Sequence, residues 1–388
     1  MRYACIALIS ALVLAACAHQ PALAPLPGTA SSAQSQSPDA NFQELYSFKG
    51  QPDGMEPRAP VTAFNGAFYG MTGKGGKENR GSIFKIAPDG KETVLHSFTG
   101  GTDDGANPSS GFVAHDGTLY GLTENGGSSN LGTFFSLNSD GTPHLLYSFE
   151  QQGGVHPTGG LLAADGVFYG TANTGGNYNA GTVYEITTAG EYHVLYNFTG
   201  GQNDGSRPEG GVQHFNRHFY GTTSRGGTHD RGIVFRLADD GSEKVIYNFG
   251  ATAMDAAGPQ SGLTAVSGAL YGTTLLGGAK GVGTIYEVKP DGSERVVYSL
   301  ALKSGFAPYA GLLAQNNLLY GTASDGGANR AGTVFSVTVN GTLTVLHDFK
   351  KKDGSGPRAT LIAHGGKFYG TTFAGGGFSK GTVFELTP

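Results

Sequence analysis

A set of polar side chains follows prolines that recur about every 50 residues along the chain. The residue after each proline differs from copy to copy, and the set comprises Arg58, Ser109, Thr158, Glu209, Gln260, Tyr309 and Arg358. Four residues that precede these prolines add further polar groups: Glu56, Asn107, His156 and Arg207. Because residues that only hold a repeated scaffold together should be alike from copy to copy, we interpret this set as a candidate binding ring.

Three of these side chains have acid–base chemistry, and they are His156, Glu209 and Tyr309. The arginines of the set could clamp a uronate carboxylate while one of the three exchanges a proton, as a polysaccharide lyase requires. Glycoside hydrolysis usually needs two facing carboxylates, and Glu209 has only Glu56 as a partner, nearly half a ring away. The sequence therefore favours a non-catalytic module that binds a glycan or an envelope protein. A uronate lyase is the alternative, and a structural surface repeat without a small ligand is the second alternative.

Five of the loops before the repeated prolines carry an aspartate: Asp53, Asp104, Asp204, Asp255 and Asp353. Calcium needs several clustered oxygens, whereas one carboxylate per repeat favours a turn-forming role, and both interpretations stay open. His96 and His347 replace a repeated tyrosine, and we interpret them as structural. No His-Glu-x-x-His spacing occurs. We predict neither a metal site nor a cofactor.

The elements that must position these residues are repeats. A Tyr-Gly pair recurs at steps of 49 to 51 residues, at Tyr69, Tyr120, Tyr169, Tyr220, Tyr271, Tyr320 and Tyr369. A Gly-Gly-x4-Gly signature begins six residues later each time, at Gly75, Gly126, Gly175, Gly226, Gly277, Gly326 and Gly375. Each unit holds four short β-runs separated by glycine-rich turns, which is the size of a propeller blade. The repeat predicts an all-β, seven-bladed β-propeller with four antiparallel strands per blade.

The phase of the repeat predicts how the ring closes. An outer-strand sequence at 45–48 precedes the first unit, and the last unit ends at 382–386 without one. The N-terminal strand should therefore complete the seventh blade and remove the open sheet edge. All length variation lies between the outer strand of one unit and the next proline. We predict that these loops share a face with the glycine signatures, and that the residue after each proline starts the innermost strand.

The N-terminus predicts a lipoprotein signal. Arg2 precedes an apolar stretch at Ile6 to Leu14 that is too short to span a bilayer. Leu14-Ala15-Ala16-Cys17 then resembles the lipobox of bacterial lipoproteins, which implies cleavage before Cys17 and lipidation of that residue. Ala18 in place of aspartate resembles the pattern that sorts lipoproteins to the outer membrane.

These features divide the chain into three segments. Residues 1–16 are the predicted signal peptide, residues 17–41 an Ala/Pro/Ser/Gln-rich tether, and residues 42–388 the propeller. The expected partners are a membrane, through the N-terminal lipid, and a glycan or envelope protein. The net charge of −5 gives no basic face for nucleic acid. We expect a monomer at the cell envelope.

The repeated motifs resemble one known family. Leu-Tyr-Gly-Thr-Thr, Gly-Gly-x4-Gly-Thr-Val-Phe and Leu-Tyr-Ser-Phe are similar to the GloVer tandem repeat of bacterial surface proteins, across residues 42–388. The resemblance implies a propeller-like repeat on a variable anchoring segment, and it implies no activity and no catalytic residues.

Overall fold

The computed structural model describes residues 41–388, which form seven blades of antiparallel β-sheet around a central axis. The predicted seven-bladed propeller is confirmed. Within these residues no helix is long and apolar enough to cross a membrane. The predicted signal peptide, Cys17 and the tether up to residue 40 lie outside the described residues.

The strands are numbered along the chain. In the first half they are β1 (Phe42–Ser47), β2 (Gly54–Met55), β3 (Thr62–Phe64), β4 (Ala67–Thr72), β5 (Lys74–Gly75), β6 (Ser82–Ile86), β7 (Glu92–Ser97), β8 (Gly105–Ala106), β9 (Val113–His115), β10 (Thr118–Thr123), β11 (Asn125–Gly126), β12 (Thr133–Leu137), β13 (Pro143–Ser148), β14 (Leu162–Ala164), β15 (Val167–Ala172), β16 (Thr182–Thr187) and β17 (Tyr192–Asn197). In the second half they are β18 (Gly205–Ser206), β19 (Gln213–Phe215), β20 (His218–Thr223), β21 (Arg225–Gly226), β22 (Ile233–Leu237), β23 (Glu243–Asn248), β24 (Ala256–Pro259), β25 (Thr264–Val266), β26 (Ala269–Gly277), β27 (Thr284–Val288), β28 (Glu294–Ser299), β29 (Leu313–Gln315), β30 (Leu318–Ala323), β31 (Thr333–Thr338), β32 (Leu343–Asp348), β33 (Ser355–Pro357), β34 (Ile362–His364), β35 (Lys367–Ala374) and β36 (Thr382–Leu386).

Every blade has the same strand order from the axis outwards. The seven orders are β3-β4-β6-β7, β9-β10-β12-β13, β14-β15-β16-β17, β19-β20-β22-β23, β25-β26-β27-β28, β29-β30-β31-β32 and β34-β35-β36-β1, for blades 1 to 7. The remaining short strands tie five of the inter-blade loops to a glycine loop, as where β2 pairs with β5, and isolated bridges do the same in blades 3 and 6. We call the end of the disc with these loops the loop face, and the end with the tight turns between the two outer strands the hairpin face.

The N-terminal strand closes the ring as predicted. β1 pairs antiparallel with β36, with Phe42 opposite Leu386 and Ser47 opposite Thr382. The Phe48 N–H donates to the Gly381 carbonyl at 2.9 Å, as the equivalent outer-strand residue does in the other blades. At the hairpin face, the Thr387 N–H donates to the Asn41 carbonyl at 2.9 Å, so both ends of the described chain lie together there.

The core lies between the blades and explains the Tyr-Gly motif. Buried aromatic and aliphatic side chains of adjacent blades pack together in seven clusters. A Cβ added at Gly70 would lie 2.4 Å from the ring of Phe84 in the neighbouring strand, and Gly370 meets Phe384 in the same way at 2.5 Å. Only glycine leaves room for the large ring that fills each blade interface.

The centre of the disc corrects one prediction. The innermost strand of blade 1 begins at Thr62 rather than at Arg58, and the segment from 57 to 61 is outside the sheet ladder. Here seven backbones converge, and a Cβ at Gly210 would lie 2.2 Å from the Gly262 nitrogen. Proline has no N–H to give to a ladder, and the carbonyls that follow it serve the neighbouring blade instead. The threonine hydroxyls of five Tyr-Gly motifs donate to them, from Thr171 to Gly210, Thr222 to Ser261, Thr273 to Ala310, Thr322 to Ala359 and Thr371 to Ala59.

Removing one of these hydroxyls is expected to cost stability. Thr222 is 1 % exposed, and its Oγ1 lies 2.9 Å from the Ser261 carbonyl. Thr222→Val should lower the free energy of unfolding by about 1–3 kcal/mol, because the buried carbonyl loses its donor. Denaturant unfolding measures the loss, and Thr228→Val at an exposed loop position is the matched control. Equal stability of the two variants would contradict a role for the inter-blade bond.

Candidate functional site

The residues before the repeated prolines clamp each blade to the one before it. The Glu56 N–H donates to the Lys380 carbonyl at 3.0 Å, and the Glu56 carbonyl accepts from the Gly73 N–H at 3.0 Å. All seven residues at this position have left-handed backbone angles: Glu56, Asn107, His156, Arg207, Gly258, Ala307 and Gly356. Left-handed geometry favours glycine and is strained for most other residues. Four polar side chains are therefore kept on the loop face at a cost in backbone strain, as often occurs at binding sites.

The seven residues after the prolines form what we call the ring: Arg58, Ser109, Thr158, Glu209, Gln260, Tyr309 and Arg358. Each is half-buried and lies between a buried proline and a buried small residue. Four of them have a buried polar atom without a partner in the protein: Nε of Arg58 and Arg358, Oγ of Ser109 and Oγ1 of Thr158. Since buried polar atoms are normally hydrogen-bonded, these ring positions keep polar side chains at the cost of enclosed atoms that make no hydrogen bond.

Three ring residues come together across blades 6, 7 and 1. The guanidinium carbon of Arg358 lies 4.1 Å from the Phe373 ring centroid and 4.9 Å from that of Tyr309. The guanidinium carbon of Arg58 lies 5.5 Å from the same Phe373 centroid. We call Arg58, Arg358, Tyr309 and Phe373 the arginine cluster. Its distances are within the range of cation–π attraction.

The arginine cluster carries excess positive charge. Glu56 Oε2 accepts from Arg58 Nη2 at 3.1 Å, and Glu56 Oε1 accepts from Lys74 Nζ at 3.1 Å. Within residues 41–388, Arg358 has no ion pair and no hydrogen bond from its side chain. Glu56 thus pairs with two cations and the third, Arg358, has no ion pair, which makes this sector of the loop face suited to an anion.

The predicted catalytic residues are not joined. Glu209 Oε1 lies 3.2 Å from Ser224 Oγ, and His156 Nδ1 lies 2.9 Å from the Glu124 carbonyl. No hydrogen bond or ion pair in the described part of the chain links His156, Glu209 and Tyr309 to one another. Proton transfer needs its partners within hydrogen-bond reach of a common substrate atom. The structure therefore gives the lyase alternative no assembled acid–base pair.

The other two flanking candidates, Asn107 and Arg207, make hydrogen bonds on the loop face. Asn107 Nδ2 donates to the Gly73 carbonyl at 3.0 Å, which links blades 1 and 2. The Arg207 carbonyl accepts from Ser224 Oγ at 3.2 Å, and the Arg207 side chain is exposed. Both residues border the ring without entering it.

The loop aspartates organise their own loops. Asp204 accepts from the Tyr196 hydroxyl at 3.0 Å, from the Thr199 N–H at 2.6 Å and from the Gly205 N–H at 2.6 Å. Asp53 and Asp255 make the same kind of contacts. No group of three or more His, Cys, Asp or Glu side chains suited to a metal ion occurs among residues 41–388. The turn-forming interpretation thus has direct support in the geometry.

Histidine substitutes for the repeated tyrosine in two of these loops. His96 Nε2 lies 3.0 Å from Asp104 Oδ2, and His347 Nε2 lies 3.4 Å from Asp353 Oδ2. Burial raises the pKa of Asp104, but hydrogen bonds from His96 and Thr99 outweigh it and leave that pKa below its ordinary value. Both histidines therefore have structural partners, in agreement with the interpretation made from the sequence.

Three glutamates face the Tyr–Asp pairs from the next blade. Burial and the nearby Asp53 carboxylate raise the pKa of Glu92 to about 7. Burial and an adjacent aspartate raise the pKa of Glu243 and of Glu294 to about 7 as well. One carboxylate oxygen of each glutamate is buried without a partner. Both effects disfavour the charged form, so these carboxyls bind protons near neutral pH.

A cavity of about 330 Å³ lies between blades 7 and 1 on the hairpin face. Its walls are mostly apolar and include Phe68 and Ile86, with His364 and Glu385 at the edge. The Glu385 carboxylate is already paired with Lys367 Nζ. The cavity thus brings together few free polar groups, in contrast to the ring on the opposite face.

Reasoning from the sequence missed Phe373 and Lys74. Phe373 stands two residues after the threonine of its Tyr-Gly-Thr motif, where the other blades have glycine, glutamate, asparagine, serine or leucine. Comparing this position across the seven copies would have shown it to be as variable as the ring, which is the signal that was available.

Comparisons with known proteins agree with this architecture. A family model described as the Gloeobacter/Verrucomicrobia repeat matches residues 28–204 and 190–384. No curated protein matches the chain. A puromycin hydrolase structure is similar with a TM-score of 0.55 and 13 % identity, covering 85 % of this chain and 52 % of that one, so the chain spans about half that enzyme's length. A putative 6-phosphogluconolactonase from Bacteroides uniformis has a TM-score of 0.51 and 17 % identity, covering 77 % and 87 % respectively. At these identities the likeness concerns the fold alone.

Proposed function

The chain belongs to the Gloeobacter/Verrucomicrobia repeat family, and from the polar ring on its loop face we propose that it is a non-catalytic binding module of the cell envelope. The ligand is a glycan or another envelope protein, held over the ring on the loop face. Lipidation at Cys17 anchors the module, in keeping with the lipobox sequence.

One observation carries this proposal. Buried polar atoms of Arg58, Ser109, Thr158 and Arg358 have no partner in the protein, although they belong to equivalent positions in four blades. A scaffold without a ligand would place residues of similar size there, as it does at the next position, where only small residues follow: Ala59, Ser110, Gly159, Gly210, Ser261, Ala310 and Ala359. A purely structural repeat gives no reason for polar side chains of different types and sizes at one repeated position.

Capture of envelope components by the full-length protein tests the proposal. The variant with Arg58→Gln, Glu209→Gln and Tyr309→Phe keeps net charge and approximate side-chain size, and it should lose at least about tenfold in affinity through three altered contacts. Its melting temperature should stay within about 2 °C, since half-buried loop-face residues contribute little to stability.

A charge-neutral control uses the hairpin face. Asp116→Asn with Arg217→Gln alters exposed inner-turn residues and should leave capture unchanged. Unaltered capture by the ring variant would refute the loop face as the binding surface. Incubation with uronate glycans, followed by absorbance of unsaturated product, tests the lyase alternative, and product formation would replace the binding proposal with an enzymatic one.

A further inference from the structure

From the arginine cluster we infer a subsite for an anionic sugar residue, one that bears a uronate carboxylate or a sulfate ester. This inference rests on the proposed function and deepens it, because it assigns one sector of the ring to one ligand chemistry. It concerns blades 6, 7 and 1 and assigns no acidic group of the ligand to the rest of the ring.

The first step is the position of the two guanidinium groups. Arg58 and Arg358 both lie over Phe373, at 5.5 Å and 4.1 Å from the ring centroid. Two cations held beside one ring repel each other, and an anion between or near them offsets that repulsion. Glu56 pairs with Arg58 and Lys74, and Arg358 has no carboxylate partner within the described residues. The positive charge of the cluster is therefore only partly balanced by carboxylates of the described residues.

The second step is the unused hydrogen-bonding capacity. Arg58 has a side-chain exposure of 37 %, so its guanidinium is open to solvent on one side. The Nε atoms of both arginines are enclosed and closed to a ligand, whereas the Nη atoms of Arg358 are not enclosed and have no hydrogen-bond partner within the described residues. A guanidinium offers a planar fork of donors that matches the paired oxygens of a carboxylate or sulfate. An oxyanion placed over this sector would accept from donors that the protein leaves free.

The third step explains the aromatic residues. Phe373 and Tyr309 both lie within cation–π range of Arg358, so the long arginine side chain is held in place before a ligand arrives. Ordering a flexible side chain in advance reduces the entropy lost on binding. Phe373 is thus a positioning residue, which acts through the arginines rather than by contact with the ligand.

The fourth step selects a sugar over a peptide. The remaining ring residues include Glu209 and Gln260, both half-buried. A carboxylate and an amide oxygen accept hydrogen bonds from hydroxyl groups, so they suit a ligand with many hydroxyls beside its acidic substituent. A uronic acid or a sulfated sugar residue has this composition, whereas a peptide has few hydroxyls.

Calorimetric titration of the full-length protein tests the subsite with three probes: trigalacturonate, a sulfated chondroitin oligosaccharide and neutral cellotriose. Wild-type protein should bind at least one acidic probe more tightly than cellotriose, and affinity should fall as salt rises. Which acidic probe binds more tightly distinguishes carboxylate from sulfate recognition. Arg358→Gln should lower that affinity about tenfold, because a charge-assisted hydrogen bond is lost. Arg358→Lys should restore little of it, because lysine lacks the planar fork.

Two further variants separate charge from position. Phe373→Leu should weaken binding several-fold while leaving the slope of affinity against salt unchanged, since both arginines remain; Arg358→Gln should reduce that slope. Arg225→Gln with Arg231→Gln removes two exposed arginines from the loop face of blade 4 and should change neither quantity. Thermal unfolding checks that each variant is folded.

The outcomes keep the subsite and the proposed function apart. Tight cellotriose binding that is insensitive to Arg358→Gln would overturn the anionic subsite and leave the binding module standing. Failure of all three probes to bind would overturn the subsite, while the proposed function still depends on the capture experiment. Loss of binding in the Arg225→Gln/Arg231→Gln control would show a diffuse charge effect and would also overturn the subsite.

Discussion

Phe48→Ala is expected to lower the free energy of unfolding by about 3–5 kcal/mol, the usual cost of truncating a fully buried phenylalanine. Phe48 is fully buried and packs edge-on against Phe84 of blade 1 at a centroid distance of 5.0 Å. It also directly follows β1, the strand that completes blade 7 without a hairpin to hold it there. Chemical denaturation measures the loss.

Phe198→Ala is the matched control, because Phe198 occupies the same position in blade 3 and is also fully buried. Its strand β17 is joined to β16 by a tight turn, so local opening there closes again over a short loop. Phe48→Ala should therefore also speed hydrogen exchange in β1 and β36, through opening of blade 7 alone. Equal exchange in the two variants would contradict a special weakness at the closure.

Replacing Glu92, Glu243 and Glu294 together by glutamine is expected to stabilise the protein at pH 8 and to leave it almost unchanged at pH 4. Each carboxyl has a folded-state pKa of about 7, raised first by burial and then by an adjacent aspartate. A raised carboxyl pKa means that folding favours the protonated form. The associated stability is fully present below the unfolded pKa of about 4.3 and is lost as pH rises to about 7.

Glutamine removes the charge that must otherwise be buried beside Asp53, Asp204 or Asp255. We expect a gain of about 1 kcal/mol per site at pH 8, reduced by solvent screening because the sites are only partly buried. Denaturant midpoints between pH 4 and pH 8 measure it: they should fall for the wild type and stay flatter for the variant. Glu191→Gln at an exposed position of blade 3 is the control. A wild-type midpoint that does not fall between pH 4.5 and 7 would rule out the proposed proton binding.

At low pH, folding stability changes with pH in the opposite direction. The pKa of Asp104 and of Asp353 is lowered, because burial is outweighed by the histidine and backbone hydrogen bonds each receives. The stability that these carboxylates contribute is present above their unfolded pKa of about 3.9 and is lost as pH falls through their lower folded values.

The repeat predicted the blades because each blade interface makes the same demands. A large ring such as Phe84 needs a glycine opposite it, here Gly70, and this requirement recurs in every copy. The predicted start of the innermost strands was wrong, because that start depends on backbone contacts at the centre of the disc. There the backbone after five of the seven prolines bonds to the neighbouring blade, and no feature of a single repeat reports that contact.

The outer blade junctions show what a single repeat cannot predict. Where a Tyr–Asp pair ends one blade, the next blade offers a glutamate, as Glu92 beside Tyr46 and Asp53. Where histidine takes the place of tyrosine, the next blade offers an apolar residue: Phe42 stacks on His347 at 3.8 Å, and Pro143 lies beside Asp104. These choices are coupled between neighbours, so they become visible only when each copy is compared with the one that follows it.

Both ends of the described chain meet at the hairpin face, where the Thr387 N–H reaches the Asn41 carbonyl. The described chain therefore begins and ends on the side opposite the ring. A bead or fusion partner joined directly to Asn41 would contact the hairpin face and leave the arginine cluster open to solvent. The start of a single closing strand thus decides which face such an attachment leaves free.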